Sequence, residues 1–171
     1  MKQRLAGLAL LLLLSGCSAL DWLTTLTSSN IYIDQDGIAG VIFDPSATYI
    51  SDVESISKQI LDTTFDGYWM PDTADVLALE SALPAYLDQQ AAAGRDVEGV
   101  AAKLPDYKRQ YIGFTAGGEK MLYANYFCDA FDGDRWKQEW LYVMDGGNCF
   151  FQVVYQIGSG EFRYLSINGY A

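Results

Sequence analysis

A handful of residues in this chain have the types and spacing to do chemistry. Ser55-Ile56-Ser57-Lys58 fits the pattern S-x-x-K, and Ser166-Ile167-Asn168 fits S-x-N. Both patterns can carry a serine nucleophile. Asp129, Asp132 and Asp134 crowd one loop and offer hard oxygens of the kind Ca²⁺ takes. The acids around Gly133 do not follow EF-hand spacing, so a solvated turn is the expected alternative and no metal or cofactor is assigned. Paired carboxylates can cleave glycosidic bonds when they face each other across a cleft. With 22 acids in the chain, some pair will meet that distance in any fold. Trp69, within Tyr68-Trp69-Met70-Pro71, together with Trp136 and Trp140, could form an aromatic binding surface. The competing reading is core: Trp69 as a staple ahead of a helix, and Trp136 and Trp140 in either place. Histidine is absent, which removes Ser-His-Asp and Cys-His nucleophile pairs and the commonest zinc ligand together. No catalytic residue is assigned.

The two serine patterns resemble motifs of penicillin-binding proteins and serine β-lactamases. The resemblance departs from that family at once. No K-T-G follows, and 171 residues are too few for its fold. The matches read as two coincidences.

The amino terminus carries a more specific pattern. Met1-Lys2-Gln3-Arg4 is basic, Leu5 to Leu14 is an apolar run, and Leu14-Ser15-Gly16-Cys17 ends it. A charged start, a short apolar run and small residues before a cut define a secretory signal, too short to span a bilayer. Leu-Ser-Gly-Cys resembles the lipobox of bacterial lipoproteins, over residues 1–17 only. That resemblance implies cleavage before Cys17, a diacylglyceryl thioether on its sulfur and acylation of the new amino group. Several acyl chains anchor stably where one holds only marginally. Ser18 at the next position is, by the same family pattern, permissive for the outer membrane.

The sequence therefore divides into a signal peptide over 1–16, a lipidated Cys17 with a tether over 17–30, and one globular domain over 31–171. The chain is rich in aromatics, with 12 Tyr, 8 Phe and 4 Trp, and has the apolar content to fold. Its net charge is −11, and loss of Lys2 and Arg4 makes it more acidic still. Such a chain is repelled by nucleic acid and by anionic headgroups.

Turn and periodicity signals set out the domain. Asp36-Gly37 between two short β-forming runs predicts a hairpin over 31–43. Ile50, Val53, Ile56 and Ile60 predict a helix within 46–61. Asp72 behind Pro71 caps a main helix over 72–91, with Asp75 near the positive end of its dipole. Pro84 should kink or split it, and a short helical turn is expected within 96–104. Strands are predicted over 110–116, 120–128, 136–144, 149–157 and 162–168, with turns at Gly117-Gly118, Asp145 to Asn148 and Gly158 to Gly160. A bulge near Arg163–Tyr164 would bring Phe162 into phase with Leu165 and Ile167. The expected fold is α+β. It is an antiparallel, mostly meander sheet of about four to six strands, with one main helix packed on one face.

With Cys17 lipidated, Cys128 and Cys149 remain, and an even pair in an exported protein suggests a disulfide, with inert buried thiols as the alternative. In a plain meander the two would sit at opposite ends of the sheet, beyond disulfide reach. Either no bond forms, or the 129–139 segment recrosses the sheet so that the ends meet.

These readings converge on a noncatalytic envelope lipoprotein, held on the periplasmic side of the outer membrane by acyl chains on Cys17 and binding a protein or peptide partner. Two alternatives stand beside it. One is an envelope hydrolase using carboxylates or Ser. The other is an inhibitor of an exported enzyme, presenting loop 129–135 or 145–148.

Overall fold

The computed structural model describes residues 29–128 and 133–169. The signal 1–16, Cys17, the tether as far as residue 28 (with Trp22 and Leu23), and Asp129 and Asp132 lie outside them.

The chain is α+β, as the element order predicts. Strand β1 (Ile31–Gln35) turns at Asp36-Gly37 into β2 (Ile38–Ile42). Both turn residues have positive φ, 54° and 76°, the geometry that matches the twist of a tight hairpin. The helix expected within 46–61 forms as α1 (Ser51–Gln59) and buries Val53 and Ile56. The main helix, α2 (Thr73–Ala92), begins on a full capping box. The Asp72 carboxylate accepts from the Asp75 amide, and the Asp75 carboxylate accepts from the Asp72 amide. Pro84 does not split it: α2 runs through as one 20-residue element. Pro84 lies on the exposed side, while Val76, Leu79, Leu83 and Leu87 are buried before and after it. Burial of that stripe offsets the one lost hydrogen bond. A short α3 (Glu98–Ala101) falls within 96–104.

Strands β4 (Lys108–Ala116) and β5 (Glu119–Phe127) join through Gly117-Gly118, again with both φ positive, and β6 (Phe150–Gln156) and β7 (Glu161–Ile167) close the chain. The register shift between β6 and β7 leaves Arg163 as the extra residue. This is the expected bulge, and Phe162, Leu165 and Ile167 all pack in one cluster.

The sheet is larger and less regular than a meander. It has seven strands, in the order β1-β2-β4-β5-β6-β7, with β3 (Phe65–Trp69) also paired to β4. All pairs are antiparallel except β2–β4, which is parallel. Strand β4 is long enough to take two partners on one edge, β2 along Lys108 to Tyr111 and β3 along Gly113 to Ala116. Gly113 makes the junction fit. A Cβ there would lie 2.5 Å from the Trp69 carbonyl oxygen and 2.8 Å from Pro71.

The strand expected over 136–144 does not exist. Arg135–Lys137 is a 3-10 turn, and residues 138–146 run as an irregular strap across the sheet. The place beside β5 is taken by β6, paired continuously from Met121–Gln156 to Phe127–Phe150. With no strand between them, Cys128 and Cys149 sit at adjacent strand ends, Cα atoms 5.0 Å apart, and form a disulfide. The recrossing that the meander required is unnecessary.

The sheet is covered on both faces, not one. Tyr111, Leu122, Ala124, Tyr126, Phe151, Val153 and Leu165 face α2. Ile112, Phe114, Met121, Tyr123 and Val154 face α1. The strap seals a third cluster, in which Trp136 packs with Val41, Phe43, Phe127 and Phe150. Alternation with period two along β4, β5 and β6 sorts the faces.

Candidate functional site

Between α1 and the strap, over the sheet, lies a groove of about 360 Å³, within the size range of small-ligand sites. Helix α1 supplies Asp52, Ser55 and Gln59. The sheet supplies Tyr123, Asn125, Gln152, Tyr164 and Ser166, and the strap supplies Trp140, Tyr142 and Met144.

A row of side-chain amides holds the strap. Gln110, Asn125 and Gln152 are successive register partners on β4, β5 and β6, all on the same face. The Gln110 Nε2 donates to the carbonyls of Trp136 and Glu139, both at 2.7 Å, and its Oε1 accepts from the Leu141 amide at 2.9 Å. Asn125 Nδ2 donates to the Leu141 carbonyl at 2.9 Å, and Asn168 Nδ2 donates to those of Val143 and Asp145. These amides satisfy strap backbone groups that a strand would have paired with a neighbour. Gln152 Nε2 bridges the carbonyl oxygens of Asn125 and Asn168, which leaves its own Oε1 as the atom it can offer a ligand. On the strap, Tyr142 is 66 % exposed and Met144 81 %.

Asp52 is the one carboxylate among the groove residues, and no lysine or arginine lines it. Burial raises the Asp52 pKa from its ordinary value, and hydrogen bonds from Tyr123 and Ser51 only partly counter that. The Tyr123 phenol is itself raised well above its ordinary value, by burial first and then by Asp52, Tyr164 and Tyr142. One carboxylate and three phenols therefore share a small volume in which no cation balances them.

The sequence candidates scatter. Trp140 lines the groove and meets Tyr123 with ring centroids 5.5 Å apart. Trp136 is core, 4 % exposed, stacked edge-on to Phe127. Its Nε1 is the one buried side-chain nitrogen or oxygen among the described residues without a hydrogen-bond partner. Trp69 is a half-buried brace. Its Nε1 donates to the carbonyls of Phe114 and Met121, and Lys120 covers its ring at 4.5 Å. Ser55, Ser166 and Asn168 all line the groove, although Ser57 is buried and bonded to the Val53 carbonyl, and Lys58 is not among the lining residues. Among the described residues no three metal-ligating side chains cluster. The 145–148 loop is tied down: Gly147 donates to Gly169, and the Tyr107 hydroxyl donates to the Asn148 carbonyl.

Sequence reasoning missed Asp52, Tyr123 and the amide row. A signal was present. Gln110, Asn125 and Gln152 are polar residues at inward-facing positions of otherwise apolar strands, an exception to burial that asks for a partner.

On the opposite face the buried polar groups close on themselves. Glu80 from α2 accepts from the hydroxyls of Tyr111 at 2.7 Å and Tyr126 at 2.6 Å, and from Arg109 Nε at 3.1 Å. Arg109 also donates to the carbonyls of Tyr107 and Leu104. Burial, and then Glu80, pushes both phenols well above their ordinary pKa. Every strong group there has a partner, so this network ties helix to sheet.

No protein-family model matches the chain, and neither a curated protein nor a solved structure matches it.

Proposed function

We propose that this protein is an envelope lipoprotein, anchored through acyl chains on Cys17 to the periplasmic side of the outer membrane, whose domain is a noncatalytic binding module. The observation that carries the binding role is the groove itself. It joins aromatic rings, amides and one carboxylate without a counter-ion, between the sheet and a strap that side-chain amides hold down. In the groove, paired-carboxylate hydrolysis finds one acid where it needs two, and no lysine or histidine stands with Ser55 and Ser166 among the lining residues. An inhibitory loop should project, whereas 145–148 is bonded down, and most of the other candidate loop, 129–135, lies outside the described residues. Among the described residues no helix is long and apolar enough to cross a membrane.

Two measurements test the proposal. Mass spectrometry of the amino-terminal peptide should find a mature chain starting at acylated Cys17, with the acyl mass lost in Cys17→Ser. A photocrosslinking residue at Tyr142 should give a discrete adduct in intact envelopes that the same residue at Gln89, on α2, does not. An unacylated mature form, or identical crosslinks from both positions, would overturn it.

A further inference from the structure

The groove's charge is one-sided, and that fixes what can satisfy it. Asp52 stands partly buried with no ion-pair partner among the described residues. Around it the Tyr123, Tyr142 and Tyr164 phenols and the Gln152 Oε1 offer oxygen acceptors, and Trp140 adds a ring face. An anionic ligand would be repelled. A neutral sugar would bond the amides and phenols but leave the carboxylate unpaired. A hard divalent cation wants six or more oxygens, with several carboxylates among them, and finds one. A group with positive charge and several N–H donors uses every feature: charge against Asp52, hydrogen bonds to the phenol and amide oxygens, and ring faces for the alkyl carbons beside the charge.

We propose that this groove binds a primary alkylammonium group, the amine of a lysine side chain or of a free diamine, with Asp52 as counter-ion and Tyr123, Tyr164 and Gln152 as hydrogen-bond acceptors. The inference rests on the binding-module reading above and names the chemistry of its ligand. The net charge of −11 draws such a cation toward the domain. The amide row holds the strap, and with it Trp140 and Tyr142, at a fixed height above the sheet. The pocket is thereby shaped before the ligand arrives.

Titration calorimetry on the full acylated chain in detergent tests this with four probes: 1,5-diaminopentane, Nα-acetyl-lysine amide, its Nζ-acetylated form and a chito-oligosaccharide. The proposal expects binding of at least one free amine, none of the Nζ-acetylated probe, and about tenfold or greater weakening in Asp52→Asn. Tyr164→Phe should weaken the same probe by a smaller factor. Binding of the lysine amide alone identifies a lysine side chain as the source, and binding of the diamine alone identifies a free amine. Equal binding of the free and Nζ-acetylated lysine probes, an unchanged affinity in Asp52→Asn, or binding of the oligosaccharide alone would overturn it. The comparison of free and acetylated probes uses the unsubstituted protein and so stands even if a variant misfolds. If the Tyr142 crosslink forms in envelopes while no amine binds or competes, the ammonium assignment fails and the binding-module reading survives.

Discussion

The two faces of the sheet bury polar groups by opposite rules. On the α2 face Glu80, Arg109, Tyr111 and Tyr126 answer one another, and Glu80 and Arg109 lie almost wholly buried at the edge of a hollow that Leu77 and Leu104 also line. On the α1 face Gln110, Asn125 and Asn168 spend their bonds on the strap, and Asp52 is left beside open space. A polar group inside a protein costs stability unless it is paired. A closed set of pairs therefore marks architecture, and a carboxylate with hydrogen bonds but no counter-ion beside a groove marks a place for something else.

The comparison breaks most visibly if Glu80 is removed. Glu80→Ala leaves a buried guanidinium and two phenols without their shared acceptor, and should cost about 3–5 kcal/mol in urea unfolding. Glu80→Gln keeps the shape and should cost less. A loss below about 1 kcal/mol would show that the closed network is not what holds α2 to the sheet.

The disulfide comes next. Cys128 and Cys149 close a loop across a sequence separation of 21 residues, and the Cys128→Ser, Cys149→Ser double variant should lose about 3 kcal/mol. Adding a reductant should lower the unsubstituted protein's unfolding midpoint toward that of the variant. It should also loosen the α1 face alone: amide exchange should quicken at Leu141, whose N–H bonds Gln110, and stay slow on α2.

Asn125→Ala should cost about 1–3 kcal/mol, because the Leu141 carbonyl and the Gln110 amide lose their shared partner. Its exchange signature should again be confined to the strap.

Asp52→Asn should have the smallest effect on stability and the opposite sign. Burial raises the Asp52 pKa in the folded state, so the folded protein holds that proton more tightly than the unfolded chain does. The ionised form therefore costs stability. The penalty grows as pH rises from the ordinary carboxylate pKa through the raised one, and is complete above it. Asp52→Asn should be the more stable protein at neutral pH by less than about 1 kcal/mol, allowing for solvent screening, with the gap closing toward acid. A variant that is less stable at neutral pH would show that the hydrogen bonds from Tyr123 and Ser51 outweigh the cost of burial.

The same contrast explains what was legible in the sequence. Local rules gave the two Gly-containing hairpins, the capping box at Asp72 and Asp75, and the bulge at Arg163, because each is decided within a few residues. Strand β3 escaped because Phe65-Asp66-Gly67-Tyr68-Trp69 is short, contains Asp-Gly and owes its pairing to a partner more than 40 residues on. The 136–144 run looked like a strand because it is apolar and aromatic. Its fate turned on β6 competing for the edge of β5, which no local pattern encodes. The groove was half visible. Trp140 was among the candidates, whereas Asp52 was one acid among many until α1 set it beside Tyr123.

The edge of β4 carries a consequence for how the chain reaches this shape. The turn at Asp36-Gly37 can zip β1 to β2 soon after synthesis, but the parallel seat of β2 lies at Lys108 to Tyr111, and that of β3 at Gly113 to Ala116. Both wait for β4, which can itself zip locally to β5 through Gly117-Gly118. Contacts so distant along the chain are slow to close. The segment made first is thus among the last to dock, and its apolar Val41, Ile42 and Phe43 stay uncovered until then. For this protein the hazardous interval is the wait for β4, when a holding chaperone has most to offer.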